Sequence, residues 1–282
     1  MSTFTDRTLI VSGGSRGIGL AIALGAAKQG ANVVLLAKTA EPHPKLPGTV
    51  YTAVADVEAA GGKGVAVVGD VRKAEDVQRA VDTAVEHFGG IDIVINNASA
   101  IATEPTEDLS VKKFDLMMDI NVRGTFLLTK AALPHLRKSA SRTRGAQRAG
   151  AHVVTLAPPL NMNPYWLGAH PTYTLSKYGM TLLSLGWAAE YADAVIGFSC
   201  LWPETYIATS AVANMAEGEL MSSSRSPEIM ADAAVEILSR APKDVNGQCF
   251  IDSAMMAEAG VTDLSRYGGG GDPILDIFVD KS

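Results

Sequence analysis

The sequence predicts an α/β protein with one doubly wound sheet and helices on both faces. Seven short apolar segments alternate with longer segments whose apolar residues recur at helical spacing, a pattern typical of βαβ units. A glycine-rich turn joins the first apolar segment to the first helical one. No repeat or shift of composition marks a second core, so we expect a single Rossmann-type domain with a seven-stranded parallel sheet.

The predicted strands are almost continuously apolar, as expected of strands buried on both faces. They lie at residues 8–11, 31–37, 65–68, 91–95, 151–157, 195–201 and 248–251. The predicted helices lie at 20–28, 50–60, 74–88, 111–138, 172–191 and 227–239. We expect residues 1–267 to form the domain, and residues 268–282 to be a glycine-rich link and an apolar C-terminal tail.

Composition excludes several classes of function. The chain has 282 residues and a net charge of −6, so it has no basic field for nucleic acid. No apolar run reaches the length of a membrane span, and the first residues do not form a signal pattern. The five histidines show no metal-ligand spacing. We therefore expect a cytoplasmic protein with no membrane insertion and no metal site.

The glycine turn is the first candidate site. Gly13, Gly17 and Gly19 lie between the first predicted strand and the first predicted helix. Backbone N–H groups at such a helix N-terminus bind phosphate. A glycine turn that only joins a strand to a helix is the alternative, and the turn alone does not decide between the two.

A tyrosine and a lysine four residues apart form the second candidate site. Tyr173 and Lys177 share one face of a predicted helix. A phenol titrates near pH 10, and a nearby cation favours the phenolate, which makes the tyrosine a better acid–base group near neutral pH. A solvated surface pair explains the spacing equally well.

Four motifs in order resemble the short-chain dehydrogenases/reductases. They are GGSRGIG at 13–19, NNAS at 96–99, NVRG at 121–124 and YTLSK at 173–177. The resemblance extends over roughly residues 7–252. It implies an oxidoreductase that transfers a hydride between a nicotinamide cofactor and a small-molecule carbonyl or secondary alcohol. It also implies a homodimer or homotetramer assembled through helices 111–138 and 172–191.

The resemblance assigns roles residue by residue. Tyr173 matches the general acid/base, and Lys177 the residue that binds the nicotinamide ribose and lowers the pKa of the tyrosine. Asn121 matches the asparagine that links the lysine to solvent through its backbone and a water. Asp70 matches the acid that meets the adenine, and Asn97 the loop beside the adenine ribose. The full cofactor-binding set that we predict is Gly13, Ser15, Arg16, Gly17, Ile18, Gly19, Lys38, Asp70, Val71, Asn97, Ala98, Tyr173, Lys177 and Pro203.

Two cations decide the expected cofactor. An acid after the second strand would accept a hydrogen bond from the ribose 2′-OH of NAD. This chain has Lys38 there, and Arg16 inside the glycine turn. Charge-assisted contacts from both would favour a 2′-phosphate, so we expect NADP(H). The alternative is that both side chains only face solvent.

The chain departs from the family pattern at two points. The family usually supplies a serine after the fifth strand, but Ala157 and Pro158 have no side-chain donor, and the position thirteen before Tyr173 is Leu160. We hypothesise that the amide of Asn161 takes this catalytic role; the alternative is that it only ties down a proline-rich turn. Pro203 is followed by glutamate where the family commonly has glycine.

The substrate and the rival functions follow from the same segments. Apolar residues of 157–170 and 203–226 suggest a lipid-like substrate, with these candidate wall residues: Trp166, Leu167, Trp202, Tyr206, Ile207 and Met215. They could instead be core or oligomer contacts.

Two other functions remain alternatives to the dehydrogenase. One is a catalytically weak NADP(H)-binding sensor or scaffold, and the other is an NADPH-dependent enoyl reductase.

Overall fold

A single seven-stranded parallel sheet forms the centre of the protein, as seen in a computed structural model that describes residues 4–43, 46–144, 147–148, 150–213, 219–270 and 273–280. Its strands are β1 (Thr8–Ser12), β2 (Asn32–Ala37), β3 (Lys63–Val68), β4 (Ile93–Asn96), β5 (Ala151–Thr155), β6 (Ile196–Trp202) and β7 (Gln248–Ile251). Their order in the sheet is β3-β2-β1-β4-β5-β6-β7. Every pair of neighbours is parallel, so the predicted fold class is confirmed.

Helices cover both faces of the sheet. They are α1 (Gly17–Lys28), α2 (Val50–Ala59), α3 (Ala74–Phe88), α4 (Val111–Met117), α5 (Gly124–Ala140), α6 (Pro164–Ala169), α7 (Pro171–Glu190), α8 (Ser210–Ala213), α9 (Glu219–Ser222), α10 (Glu228–Ser239), α11 (Pro242–Val245) and α12 (Asp252–Glu258). A short hairpin pairs Thr143–Arg144 with Gln147–Arg148.

Alternate residues of each central strand enter different cores, since side chains of a strand alternate between its faces. In β1, Leu9 and Val11 pack in the core that contains residues of α1, α2 and α10. Ile10 packs in the second core, with residues of α3 and α5. This double burial explains why the strands are uniformly apolar.

The strand order places a crevice beside β1. This strand pairs with β2 on one side and with β4 on the other, so the chain reverses its direction of winding there. In doubly wound sheets, ligands bind outside the carboxyl ends of the strands at this switch point. The glycine turn directly follows β1 and therefore lies in the crevice.

Three local features differ from the sequence prediction. The predicted helix 111–138 is interrupted by a π-helix at Met118–Arg123, so α4 and α5 are separate. Helix α10 begins at Glu228 with Pro227 as its N-cap, one residue later than predicted. Helix α6 lies in a segment that we predicted as loop.

The C-terminal tail, residues 273–280 in the described structure, folds back over the carboxyl edge of the sheet. Leu275 forms an antiparallel bridge with Thr205 after β6. The Tyr206 N–H donates to Ile274 O at 3.0 Å, and the Asp276 N–H to Glu204 O at 2.9 Å. The tail thus docks on its own domain; the division between residues 267 and 268 stays a prediction. Among the described residues, no helix has the length and hydropathy needed to span a membrane.

Candidate active site

Two glycines after β1 adopt a backbone that other residues rarely adopt. Gly13 has φ 71° and Gly17 has φ 57°, both in the left-handed region that favours glycine. A Cβ on Gly13 would lie 2.9 Å from the Nδ2 of Asn97 and 3.0 Å from the Cα of Ala98. Glycine at position 13 therefore lets the turn pack closely against the residues that follow β4, where a side chain would clash.

Asn97 fastens the glycine turn to the end of β4. Its Nδ2 donates to Ser12 O at 3.0 Å and to Gly13 O at 3.1 Å. The hydroxyl of Ser12 in turn accepts from the backbone N–H groups of Asn97 and Ala98, both at 3.1 Å. This exchange crosses the switch point of the sheet and fixes the turn against β4.

A cavity of about 500 Å³ runs along the carboxyl edge, past the glycine turn, to Tyr173 and Lys177. Except for Gly19, every residue predicted to bind cofactor lines it. The cradle without Cβ atoms beside a helix N-terminus fits the pyrophosphate of a dinucleotide. The cavity walls therefore join the two candidate sites into one.

The two predicted phosphate-binding cations lie on the wall of this cavity and both already have protein partners. Arg16 donates through Nε to Pro47 O and through Nη2 to Gly48 O, both at 2.9 Å. The Nζ of Lys38 lies 3.9 Å from a carboxylate oxygen of Asp70. Arg16 thereby holds residues 47–48, which precede α2, against the glycine turn. The sequence does not predict this contact.

Asp70 is held as an anion. The Arg72 guanidinium donates to both of its carboxylate oxygens, the shortest contact being 2.6 Å from Nη2 to Oδ2. This bond is the main reason that the pKa of Asp70 falls to about 2, with the charge of Lys38 acting in the same direction. A ligand that meets Asp70 therefore meets a carboxylate.

Tyr173 and Lys177 lie in the first turns of α7 and are both buried. Burial, together with Asp276 and Tyr206, raises the pKa of Tyr173 above its ordinary value. This direction is opposite to the lowering that the family resemblance implies. Burial also lowers the pKa of Lys177, to about 8.

The Lys177 ammonium has two partners that fix it. Its Nζ donates to Leu156 O at 2.8 Å and lies 5.1 Å from the centroid of the Trp202 ring. A cation over an aromatic face is attracted by the ring quadrupole. The carbonyl and the ring hold the charge at the inner end of the cavity.

Asn121 is fully buried in the π-helix. Its Oδ1 accepts from Ala100 N at 2.7 Å, and its Nδ2 donates to Ala100 O and to the Ser176 hydroxyl, both at 2.9 Å. The side chain thus joins the loop after β4 to α7. Single π turns occur often at functional sites. The predicted role of Asn121 in linking Lys177 to solvent stays a prediction.

The Asn161 amide contacts the tail. Its Nδ2 donates to Phe278 O at 3.1 Å and to the Asp280 carboxylate at 2.8 Å. Its Oδ1 accepts from Asn163 N at 3.0 Å, which is the turn-stabilising contact of the alternative reading. Its donors are thus occupied by the tail rather than by Tyr173, and its catalytic role stays a prediction.

The tail supplies site residues that sequence reasoning missed. Asp276 and Ile277 line the cavity beside Tyr173 and Lys177. The Phe278 ring stacks on Tyr173, with centroids 6.1 Å apart and planes 21° apart. The only sequence signal is an acid inside the apolar run 274–279.

The predicted wall residues divide into two groups. Trp202, Tyr206 and Ile207 line the cavity. Trp166 and Leu167 do not line it and instead pack against the buried cluster that contains Tyr173, Tyr178 and Phe278. Met215 lies outside the described residues. Glu204, in the altered position after Pro203, pairs with Arg225 at 2.9 Å.

The comparisons with known proteins agree with this geometry. The sequence profile of the short chain dehydrogenase family matches residues 7–220. The chain belongs to this family. It is 48% identical over 277 residues to hydroxysteroid dehydrogenase-like protein 2 of Xenopus tropicalis, covering 98% of the chain and 64% of that relative. The chain therefore spans 64% of the length of this relative.

Solved structures of dehydrogenases share the fold. A putative dehydrogenase from Xanthomonas campestris is 47% identical and superposes with a TM-score of 0.90, covering 99% of both chains. An NADH-dependent reductase, A1-R′, complexed with NAD, is 26% identical with a TM-score of 0.69 over 88% of this chain and 95% of that one. The family uses nicotinamide cofactors. In the described part of the chain, no three His, Cys, Asp or Glu residues are grouped so as to hold a metal ion.

Proposed function

We propose that the protein is an NADP(H)-dependent oxidoreductase that acts on a carbonyl or secondary alcohol, with Tyr173 as general acid/base. The observation that carries this proposal is the continuous cavity that joins Lys38 and the glycine turn to Tyr173 and Lys177. When bound, the nicotinamide supplies or accepts the hydride. The protein supplies position, electrostatics and the proton.

Tyr173 would move the proton at its Oη. In reduction it gives its proton to the carbonyl oxygen, and in oxidation it takes the alcohol proton. Lys177, with a pKa of about 8, exchanges protons readily near neutral pH.

Arg16 and Lys38 support NADP(H) over NAD(H). Both line the end of the cavity beyond β2, where no acid follows the strand to accept from a ribose 2′-OH. Phosphate contacts with guanidinium and ammonium groups are charge-assisted. Lys38 can exchange its 3.9 Å contact with Asp70 for a shorter one to a phosphate.

The walls support a bulky, lipid-like substrate. Trp202, Ile207 and Ile277 give the reacting end of the cavity an apolar lining, and such a lining favours apolar ligands. The relative from Xenopus tropicalis carries hydroxysteroid dehydrogenase in its name, which is consistent with a large alcohol or ketone.

The test measures loss of NADPH absorbance with acetophenone, a long-chain methyl ketone and a steroid ketone. We expect turnover of at least one ketone, and Tyr173→Phe should lower kcat by about 10²–10⁴-fold while NADPH affinity stays similar. Tight NADPH binding without turnover would instead support a sensor, a candidate favoured by the burial of Tyr173 under Phe278. Reduction of a C=C bond in an enone would identify an enoyl reductase.

We also propose a homodimer or homotetramer formed through α4–α5 and α7. Phe126 of α5 is 40% exposed, and Leu175 and Leu182 of α7 are 53% and 57% exposed; apolar side chains of this size become buried where a second copy packs on these helices. Leu182→Asp should lower the mass measured by light scattering. An unchanged mass would reject α7 as the interface.

A further inference from the structure

The reacting end of the cavity contains a carboxyl group that comes from the tail. Asp276 lines the same cavity as Tyr173 and Lys177. Its charge acts on both side chains, raising the pKa of each. A third titratable group therefore adjoins the pair that is proposed to carry the proton.

Several contacts fix the position of this carboxyl group. The Asp276 N–H donates to Glu204 O at 2.9 Å, and Oδ1 accepts from Ile277 N at 2.6 Å. The Trp202 Nε1 donates to Ile277 O at 2.9 Å. The backbone of Asp276 is thus held by Glu204, and that of the next residue, Ile277, is held by the buried Trp202 indole.

Phe278, two residues after Asp276, also fixes the position of the tail. Its φ of 75° is strained for a residue with a Cβ, and such strain persists only where the surroundings impose it. Here the ring packs against Tyr173, Tyr178, Trp166 and Trp202, with centroid distances of 5.2–6.1 Å. The aromatic cluster determines the path of the tail, and therefore where Asp276 lies.

The surroundings of Asp276 favour its protonated form. Burial raises its pKa to about 7, with Asp252 at the start of α12 acting in the same direction and Lys177 of α7 opposing it. Tyr173 and Tyr206 are the other titratable side chains on which it acts. At neutral pH a substantial fraction of the carboxyl groups carries a proton and can donate a hydrogen bond.

Glu204, whose backbone oxygen accepts from the Asp276 N–H, does not neutralise the Asp276 carboxylate. Glu204 is itself acidic, and its carboxylate pairs with Arg225 at 2.9 Å. Arg225 is therefore committed to Glu204 rather than to Asp276. Among the groups that act on the pKa of Asp276, Lys177 is the one cation, and it lies on the Tyr173 side.

The chemistry at Tyr173 calls for a second donor. A carbonyl oxygen gains negative charge as the hydride arrives, and donors aimed at it stabilise the transition state. The Nζ of Lys177 donates to Leu156 O, and the amide of Asn161 donates to the tail. The carboxyl group of Asp276 lines this end of the cavity, as the hydroxyl of Tyr206 does, and in its protonated form it can donate a hydrogen bond there.

We propose that Asp276 is a further catalytic residue, which donates a hydrogen bond in its protonated form to the substrate oxygen that Tyr173 protonates. This inference rests on the proposed function. In reduction the new O–H bond takes the proton of Tyr173, and Asp276 keeps its own proton. The tail is then part of the catalytic machinery and not only a wall.

The kinetic test uses the ketone of the panel that is reduced fastest. Asp276→Ala should lower kcat by about 10²–10³-fold, as for a lost oxyanion donor. Asp276→Asn retains a donor that cannot ionise, so it should keep most of the activity. In the protein, reduction should decline as the pH rises through about 7, and Asp276→Asn should lack this decline.

Two matched variants and a spectroscopic readout make the test specific. Asp280→Asn removes another carboxylate of the tail, which anchors Asn161 and Trp166, and it should keep the pH dependence. Tyr206→Phe removes the other hydroxyl that lines the cavity beside Asp276, and its effect on kcat should be smaller than that of Asp276→Ala. Infrared difference spectra without cofactor should show a protonated carboxyl band that titrates near pH 7 and is absent in Asp276→Asn but present in Asp280→Asn.

The outcomes separate this inference from the proposed function. Turnover that requires Tyr173 but is unchanged in Asp276→Ala would reject the role of Asp276 alone, as would an unchanged pH profile in Asp276→Asn. A large loss in Tyr206→Phe with none in Asp276→Ala would assign the donor to Tyr206. Absence of turnover with every ketone would reject the proposed function, and the catalytic role of Asp276 with it.

Discussion

Phe278 anchors the tail, so its replacement by alanine should release residues 273–280 from the active site. The side chain is 4% exposed and packs against four aromatic rings. Truncating a buried phenylalanine to alanine costs about 3–5 kcal/mol. Alanine keeps a Cβ, so the strain of the positive φ is not relieved.

This loss should act mainly on docking of the tail. Without the Phe278 ring, the tail keeps two backbone hydrogen bonds between residues 204–206 and 274–276 and the side-chain hydrogen bonds from Asn161, Trp166 and Trp202. Each contributes only about 0.5–1.5 kcal/mol net, and ordering the segment opposes them. A loss of 3–5 kcal/mol changes the docking equilibrium by about 10²–10⁴-fold. Once the tail is released, Tyr173 gains solvent, and its pKa should move back toward about 10.

Hydrogen exchange measures this release directly. The N–H groups of Asp276 and Tyr206 donate across the docked tail, and both should exchange much faster in Phe278→Ala. Ile274→Ala is the matched control, because Ile274 lies in the same tail but is 43% exposed, so its exchange should change far less. If both amides stay protected while the whole protein loses 3–5 kcal/mol of stability, the tail does not open as a separate unit and our reasoning is wrong.

Three further predictions follow from single side chains. Lys38→Glu should weaken NADPH binding by about 10–100-fold, because a charge-assisted contact is lost and a repulsion added. NADH affinity, measured in the same fluorescence titration, should hold or rise, because the new carboxylate can accept from the ribose 2′-OH. Desolvation lowers the pKa of buried His152 to about 3, below its unfolded value of about 6.5. The neutral imidazole therefore contributes its whole stabilisation above pH 6.5, and the free energy of unfolding should fall as the pH drops from 6.5 toward 3. Urea titrations of His152→Leu should show a shallower fall over this pH range. Asn121→Ala leaves the half-buried Ala100 N–H without its acceptor, so it should lower the thermal midpoint and kcat together. A fall in kcat at an unchanged midpoint would instead assign Asn121 a chemical role.

The sheet could be predicted from the sequence because both of its faces are covered. Each central strand had to be apolar, as Leu9, Ile10 and Val11 are, since alternate residues enter different cores. The polar residues at the strand ends then had to meet at one edge. Most of the residues predicted to bind cofactor do line one cavity, and their binding of a cofactor stays a prediction.

The missed features depend on partners far along the chain. Asn161 has a short polar side chain that can pair with any nearby backbone, and only the path of the tail brings Phe278 O within its reach. The run 274–279 is apolar enough to pack on many surfaces, so its docking site could not be read from its composition. The π turn at Asn121 inserts one residue into a helix whose sequence remains helical in pattern, and no local residue marks it.

The shared cavity makes docking of the tail and occupancy of the site reciprocal. Ile277 belongs both to the tail and to the cavity wall, so a ligand that contacts it binds the docked form more tightly. Linkage then requires that the ligand stabilise docking by the same factor by which docking raises its affinity. Protease resistance of the tail would thus serve as a label-free readout for ranking ligands before any turnover is known.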